Sequence, residues 1–267
     1  MPQAALAASP KVELRDVSLR YFSREHETEA LAGISLAITP GEFVAIIGQS
    51  GCGKSTLLSL ISGILQPTGG QVLIDGARVA APSPKVGYML QQDYLFEWRT
   101  ILENTVLGAE IQGADMAAAR ARATQLLTRY GLGQFLDHLP RQLSGGMRQR
   151  AALARTLVTE PDVVLLDEPF SALDSQTRIA LADEVAEVLR RERKTAILVT
   201  HDIGEAISMA ERVIVMSRRP GQIKSDHAIT LSSEDGRRPQ PFAARSAPEF
   251  NAYFKMLWQE LEVHVEG

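Results

Sequence analysis

The 267-residue chain is 45% hydrophobic and carries a formal net charge of −4, which allows a sizeable core in one domain with a smaller appendage. The negative charge argues against a nucleic-acid binder, whose surface is usually basic, and a single cysteine, Cys52, excludes an internal disulfide bond. No apolar run approaches the length of a membrane span, and residues 1–10 lack the features of a signal peptide. We therefore expect a soluble, cytoplasmic protein that reaches a membrane only through a partner.

The first predicted elements are strands. Residues 12–20 alternate loosely between apolar and polar side chains, and residues 34–38 predict a second strand after a polar loop at 23–29. A Pro-Gly turn at 40–41 then leads into the apolar run 43–47. This run predicts a buried strand.

The buried strand leads directly into a glycine-rich stretch that ends in Lys54 and Ser55. Residues 48–55 match G-x-x-x-x-G-K-S/T, and apolar residues at helical spacing follow at 57–65. Strand, glycine loop and helix together predict a phosphate-binding loop, in which backbone N–H groups and a helix N-terminus surround phosphate oxygens. Lys54 would reach the β- and γ-phosphates, and Ser55 would ligate Mg²⁺. The predicted nucleotide contacts are Gly48, Gln49, Ser50, Gly51, Cys52, Gly53, Lys54, Ser55 and Thr56.

Residues 101–142 differ in character from the rest of the chain. The segment 117–130 is rich in alanine and arginine, and Asp115 is a candidate N-cap for a helix there. A further helix is predicted at 149–159. The sequence therefore predicts a helical insertion between two parts of a sheet.

Outside this insertion, short apolar strands alternate with helices. The run 163–166 is entirely apolar, which is typical of a parallel strand buried on both faces, and a helix is predicted at 176–193. The remaining strands are predicted at 71–75, 86–90, 196–200 and 213–216. This alternation predicts an α/β fold with a mostly parallel sheet.

The C-terminal part begins with a polar segment, 232–248, that predicts a linker. Residues 246–249 fit a capping box with proline in the first helical turn. An apolar stripe then follows at Phe250, Phe254, Leu257, Trp258 and Leu261. We expect this amphipathic helix to dock on its own domain, with a partner-binding helix as the alternative.

Two carboxylates, Asp167 and Glu168, follow the apolar strand 163–166. In phosphate-loop ATPases such a strand lies beside the loop and its aspartate holds the metal ion. Asp167 is expected to orient Mg²⁺ through water, and Glu168 to polarise the attacking water. The alternative is a pair of acids at a strand end without a catalytic role, which the phosphate loop upstream disfavours.

The stretch from Leu143 to Arg150 resembles the signature sequence of ATP-binding-cassette (ABC) ATPases. Further elements of that family stand in the same order along the chain, at Tyr21, Gln91, residues 171–174 and His201. The resemblance implies a phosphate-loop NTPase with a mostly parallel core sheet, an N-terminal antiparallel β subdomain and an inserted α-helical subdomain at about 95–158. The ABC ATPase domain would span 11–231, and a C-terminal linker and amphipathic helix would span 232–267.

The resemblance also implies roles for individual residues. Tyr21 would stack on adenine, although it could be an ordinary strand-end aromatic residue. Gln91, with Gln92 as the alternative, would join the sheet to the insertion and contact Mg²⁺. His201 would contact the γ-phosphate. The implied catalytic residues are Glu168, His201, Gln91 and Lys54; the implied metal residues are Ser55, Gln91 and Asp167.

A second anion site is implied by Ser144, Gly145 and Gly146 at a helix N-terminus. In the ABC family, two subunits meet head to tail, and the signature of one closes on the ATP of the other. The resemblance therefore places these three residues at the ATP of a second copy, and Asp174, in the loop after the second carboxylate, is a further implied nucleotide contact. ATP and Mg²⁺ are the implied cofactors.

A single cassette without membrane spans looks like the ATPase subunit of an importer. Residues 87–100, 219–221 and 246–261 are similar to the nitrate/sulfonate/taurine importer group, although Leu90 stands where the family has phenylalanine and Glu97 where proline is common. The implied partners are permease subunits at the cytoplasmic face of the cell membrane and, indirectly, a substrate-binding protein. The family uses the region of Tyr94, Leu95, Phe96 and Trp98 to dock the permease. We expect some of these side chains to be core and others exposed.

Two other functions compete with transport. One is a soluble ABC ATPase that acts on nucleic acid or ribosomes, and the other is a phosphate-loop kinase for a small molecule. The signature, glutamine and histidine elements argue against the kinase. Cys52 offers a separate expectation: as the only thiol, it should react with a bulky maleimide in the empty protein and be protected by Mg-ATP.

Overall fold

The structure is a computed structural model that describes residues 9–22, 27–233 and 236–261. Its strands are β1 (Val12–Phe22), β2 (Glu27–Ile38), β3 (Phe43–Gly48), β4 (Gly69–Ile74), β5 (Ala77–Arg78), β6 (Val86–Met89), β7 (Val163–Asp167), β8 (Thr195–Val199), β9 (Arg212–Met216) and β10 (Ile223–Ala228). Its α-helices are α1 (Lys54–Ile61), α2 (Ile101–Ile111), α3 (Met116–Arg129), α4 (Gly145–Leu157), α5 (Ser175–Arg191), α6 (Ile203–Met209), α7 (Pro241–Ala244) and α8 (Phe250–Leu261). Short 3₁₀ turns lie at Gly133–Phe135 and Pro140–Gln142.

The larger sheet has the strand order β10-β9-β3-β8-β7-β6, and only the edge pair β10–β9 is antiparallel. Val199 of β8 pairs with Ile46 of β3 on one side and with Asp167 of β7 on the other. Strands β3, β7 and β8 are buried along their whole length, which explains their continuous apolar runs. Because these strands are parallel, the loops that follow them emerge at one edge of the sheet. The predicted mostly parallel core is confirmed.

A second, antiparallel sheet has the order β2-β1-β4-β5 and packs its apolar face against β3 and α1. Strand β2 begins at Glu27, so the polar loop predicted at 23–29 is too long at its C-terminal end; residues 23–26 lie outside the described part of the chain. Strand β10 was not predicted from the sequence. Half-buried and exposed residues alternate along this edge strand, and Ile223 and Ala228 at its two ends are its only apolar residues.

Helices α2, α3 and α4 lie between β6 and β7 in the chain and pack on one another, as expected for the helical insertion. Asp115 caps α3 as predicted, because its carboxylate accepts hydrogen bonds from the backbone N–H groups of Ala117 and Ala118. The helix predicted at 149–159 instead begins at Gly145. The reason is that Ser144 caps this helix by accepting a hydrogen bond from the Met147 N–H at 3.3 Å.

The C-terminal helix α8 packs on α6, which confirms that it docks on its own domain. Phe250 and Leu257 are buried, whereas Phe254 and Trp258 are partly exposed and stack on each other. The predicted capping box at 246–249 is wrong: α8 begins at Phe250, and the Glu249 carboxylate instead accepts hydrogen bonds from the backbone N–H and hydroxyl of Ser232.

Across the described ranges, no helix combines the length and the apolar character that crossing a bilayer requires.

Candidate nucleotide site

The phosphate loop connects the end of β3 to the start of α1 and depends on glycine at Gly53. The φ angle of Gly53 is +102°, in the left-handed region that favours glycine. A Cβ atom at this position would lie 2.7 Å from Cδ2 of Leu31. The positive φ angle and the nearby backbone of β2, whose Ala30 carbonyl oxygen would lie 3.2 Å from the Cβ atom, together favour glycine here.

Lys54 is buried, and its ammonium group lies inside the loop. Nζ donates hydrogen bonds to the carbonyl oxygens of Gly48 at 2.8 Å and Gln49 at 3.0 Å. These carbonyl groups satisfy the amine without neutralising its charge. A phosphate oxygen that entered the loop would meet an already positioned cation.

The loop lines a cavity of about 480 Å³. Six of the nine predicted loop residues contribute to the cavity wall: Ser50, Gly51, Gly53, Lys54, Ser55 and Thr56. The same cavity is lined by Gln91, Glu168 and His201. The residues that were expected to act on the terminal phosphate therefore lie together around one space, because they follow the carboxyl ends of β3, β6, β7 and β8.

Three other loop residues are not part of the cavity wall. Gln49 faces the opposite direction: its Nε2 donates to the backbone oxygen of Leu261 at 3.2 Å, and its Oε1 accepts from Nε of Arg218 at 2.9 Å. The side chain of Gln49 thus ties the phosphate loop to the end of α8. Gly48 completes β3, and Cys52 points into the core.

The burial of Cys52 contradicts the expectation of a reactive thiol, since only 1% of the residue is exposed. We now expect a bulky maleimide to leave Cys52 essentially unmodified in the native protein, with or without nucleotide, and to modify it fully in denaturant. Intact-mass spectrometry over a time course measures this. Rapid labelling of the native protein that Mg-ATP prevents would restore the earlier expectation.

Glu168 occupies the centre of the catalytic side of the cavity. Its Oε2 accepts a hydrogen bond from Nε2 of Gln91 at 3.1 Å, and its Oε1 lies 3.3 Å from Nδ1 of His201. The backbone of Glu168 has a φ angle of +47°, which is strained for a residue with a side chain. Its N–H is held by the carbonyl oxygen of Val199 at 2.9 Å. The fold thus maintains a strained backbone that points the carboxylate between two polar partners.

Asp167 is buried at the end of β7. Burial raises the pKa of its carboxyl group above the ordinary value and neighbouring Glu168 adds to the rise, whereas Ser55 and Lys54 oppose it. Its Oδ2 accepts a hydrogen bond from the Tyr88 hydroxyl at 3.4 Å, and burial raises the pKa of Tyr88 to about 12, so this donor keeps its proton. Its Oδ1 is buried and has no hydrogen-bond partner among the residues that the structure describes.

An orphaned carboxylate oxygen beside the Ser55 side chain fits a magnesium ion. Mg²⁺ prefers hard oxygen ligands, and it is usually held by one or two protein groups, several waters and substrate phosphates. A cation at this position would also compensate the buried charge of Asp167. The residues present therefore match the requirements of this ion.

The remaining predicted residues do not line the cavity. Tyr21 lies at the exposed end of β1, and 45% of it is accessible to solvent. Ser144 caps α4, which begins with Gly145 and Gly146. Asp174 caps α5 by accepting hydrogen bonds from the N–H groups of Gln176 and Thr177, and these bonds lower the pKa of its carboxyl group.

Sequence reasoning missed three contributors to this region. Arg219 and Ala30 line the cavity, and Gln149 of α4 donates a hydrogen bond from its buried amide to the carbonyl oxygen of Glu168 at 3.2 Å. Gln149 could have been noticed as a polar residue on the buried face of its helix. Arg219 stands in a segment that resembles the importer group, but nothing in its spacing indicates that it reaches the phosphate loop.

The protein-family model for ABC transporters matches residues 31–171. The taurine import ATP-binding protein TauB of Burkholderia pseudomallei is 38% identical and aligns over 94% of this chain and 96% of its own length. The nitrate import ATP-binding protein NrtD of a Synechocystis strain is 38% identical over 91% of each chain.

Among solved structures, the dimeric ATP-binding cassette MJ0796, in a post-hydrolysis state bound to ADP and phosphate, superposes with a TM-score of 0.75. It is 34% identical, and the match covers 82% of this chain and 99% of that one. Together with the cavity geometry, these similarities show that the chain belongs to the ABC transporter family and has the ATP-binding domain with which that family hydrolyses ATP.

Proposed function

We propose that the chain is the ATP-hydrolysing subunit of an importer that takes up a small organic or inorganic anion such as taurine, another sulfonate or nitrate. It would work as a head-to-tail dimer at the cytoplasmic face of the membrane, bound to a separate permease that receives its cargo from a substrate-binding protein. The similarity to TauB and NrtD over nearly the whole length of each supports the importer assignment.

The proposed hydrolytic step follows from the arrangement around Glu168. Its carboxylate accepts the proton of an attacking water, and Gln91 and His201 hold that carboxylate in position. Lys54 binds the β- and γ-phosphate oxygens. When bound, Mg²⁺ would be held by Ser55, Gln91 and Asp167 and would neutralise charge on the phosphates.

The single observation that carries coupling to a membrane partner is the aromatic patch of Tyr94, Phe96 and Trp98. These side chains are exposed, Trp98 to 75%, whereas Leu95 between them is buried, as the expected mixture predicts. The patch begins three residues after Gln91, which contacts Glu168. Arg155 of α4 donates hydrogen bonds to the carbonyl oxygens of Asp93 and Tyr94. A partner that displaced the patch would therefore also displace Gln91, which contacts the catalytic carboxylate, and Arg155 of the signature helix α4.

A groove of about 490 Å³ continues from Trp98 between Glu103, Glu110 and Arg120. The groove is lined by both apolar and charged side chains, which suits a short amphipathic helix whose apolar face would lie on the patch. Four further proposed nucleotide contacts, Ser144, Gly145, Gly146 and Asp174, lie outside the cavity of their own chain and would serve the ATP of the second copy. Tyr21 would reach adenine from the exposed end of β1.

The test is reconstitution. A tagged chain is purified from membranes together with its bound permease and placed in lipid vesicles, where ATP hydrolysis and uptake of labelled taurine, alkanesulfonate and nitrate are measured. We expect hydrolysis to rise with substrate and uptake to require ATP. Trp98→Ala should retain the basal hydrolysis of the isolated chain and lose the rise, because truncating a central aromatic anchor typically costs more than 2 kcal/mol.

The matched control is Ile111→Ala, which removes another strongly exposed apolar side chain from α2, at 78% exposure. This variant should behave like the wild type. Activity that rises with DNA or ribosomes instead of a permease would favour the soluble ABC ATPase, and a phosphorylated small molecule among the products would favour the kinase. The similarity to importer subunits does not support the nucleic-acid alternative.

A separate prediction concerns the metal. Asp167→Asn keeps the shape of the side chain and removes its charge, so the Mg²⁺ concentration for half-maximal activity should rise about ten- to hundredfold, which is typical of losing a group that orients a metal through water. ADP binding measured in EDTA should change little. The control, Asp115→Asn, keeps a good helix cap on α3 at a residue that does not line the cavity. An unchanged Mg²⁺ dependence in Asp167→Asn would contradict the assignment.

A further inference from the structure

The loop that follows β9, residues 217–222, is a closed and tightly bonded turn. The N–H of Ser217 donates to the carbonyl oxygen of Gln222 at 2.9 Å. The Ser217 hydroxyl accepts from the Gln222 N–H at 3.0 Å and donates to the carbonyl oxygen of Pro220 at 3.2 Å. The turn therefore holds its shape without help from a ligand.

This turn is fixed against both the phosphate loop and β2. The Gly221 N–H donates to the carbonyl oxygen of Ala30 at 2.9 Å, and the Ala32 N–H donates to the carbonyl oxygen of Gly221 at 3.1 Å. A Cβ atom on Gly221 would lie only 2.1 Å from the carbonyl oxygen of Cys52. The backbone of the turn consequently packs against the backbone of the phosphate loop, and there is no room for a side chain at Gly221.

Arg219 stands at the tip of the turn and lines the nucleotide cavity. Within the described ranges its guanidinium group has no hydrogen bond or ion pair, whereas the guanidinium group of the adjacent Arg218 is bonded to Gln49. The cavity wall thus carries two cations, Lys54 and Arg219, and the second is held there by a rigid turn without a partner of its own.

The sheet order places Arg219 and the catalytic carboxylate on opposite sides of the phosphate loop. Strand β9, which leads to Arg219, is next to β3 on one side, whereas β8 and β7, which lead to His201 and Glu168, follow on the other. At about 4.8 Å between neighbouring strands, β9 and β7 are separated by about 14 Å. A nucleotide whose terminal phosphate faces Glu168 therefore directs its sugar end towards Arg219.

We propose that Arg219 is a nucleotide-binding residue whose guanidinium group pairs with the α-phosphate, at the sugar end of the triphosphate. The proposal rests on the proposed function only in that the terminal phosphate faces Glu168. A guanidinium group is always charged and presents paired donors that match phosphate oxygens. Its role is to bind the part of the nucleotide that does not change during hydrolysis.

The test is calorimetric titration of the purified full chain with ATP, ADP and AMP in EDTA. Arg219→Gln should weaken ATP and ADP binding by the same factor, about five- to twentyfold, because both contain the α-phosphate. Arg219→Lys should keep part of the affinity, since it keeps the charge and loses the paired donors. In steady-state hydrolysis, Arg219→Gln should raise KM with kcat nearly unchanged.

The control is Arg15→Gln, which removes an exposed cation that pairs with Glu13 on β1 and should leave every constant unchanged. Equal affinity of wild type and Arg219→Gln for ATP and ADP would overturn the proposal. A lower kcat at unchanged KM would overturn it too, as would unchanged affinity together with loss of ATP-dependent dimerisation, which would point to a contact with the second copy. If the wild type itself failed to bind ATP, the proposed function would fail first.

Discussion

Glu168→Gln is expected to lower steady-state ATP turnover by about a hundredfold to ten-thousandfold, the usual cost of removing one general base. Glutamine keeps the size of the side chain and can still lie between Gln91 and His201, but it cannot accept the proton of the attacking water. Phosphate release at saturating Mg-ATP measures the loss. ATP binding should persist, because Lys54 and the loop backbone are unchanged, so an ATP-dependent dimer should accumulate in size-exclusion chromatography.

Two comparisons make this result specific to the carboxylate. Glu187→Gln makes the same chemical change at an exposed position of α5 and should hydrolyse ATP like the wild type. Glu168→Asp keeps the charge but withdraws it by one methylene group from Gln91 and His201, so it should retain more activity than the glutamine variant. Turnover of Glu168→Gln close to that of the wild type would remove Glu168 from the role of general base.

The core of the fold was predictable because each central strand is buried on both faces. The runs 43–47 and 163–166 are entirely apolar, and such runs leave little ambiguity about strand position. Strand β10 was not predictable in the same way, because its pairing with β9 at the sheet edge depends on tertiary contacts. The start of α4 was misplaced by four residues, since two glycines at its N-terminus obscure a helix that the Ser144 cap stabilises.

The candidate site was predictable where a motif residue directly follows a strand of the parallel sheet. Lys54, Gln91, Glu168 and His201 each follow the carboxyl end of a parallel strand, and parallel strands bring these ends to one edge. Side-chain direction was not predictable from the motif. Gln49 turns away from the cavity because its partners lie in α8 and the loop after β9, which come much later in the chain.

We expect each ATP site to be formed by the phosphate loop of one chain and the signature of the other, and a mixed dimer tests this sharing. One chain carries Lys54→Ala and the other carries Ser144→Arg. If the signature of each chain serves the ATP of its partner, both defects fall in one site and the opposite site is complete. Two different tags isolate this dimer, and retained nucleotide is counted after rapid desalting. We expect about one nucleotide per mixed dimer and none in either mutant homodimer.

The control is a dimer in which the same two substitutions lie in one chain. When one chain carries both substitutions and its partner is wild type, shared sites would each contain one defect, and no nucleotide should be retained. If signatures instead served their own chain, the two outcomes would be exchanged: the first dimer would retain nothing and the second about one nucleotide. The structure favours sharing, because Ser144, Gly145 and Gly146 lie outside the cavity that contains Lys54 of the same chain. Retention only by the dimer with both substitutions in one chain would refute it.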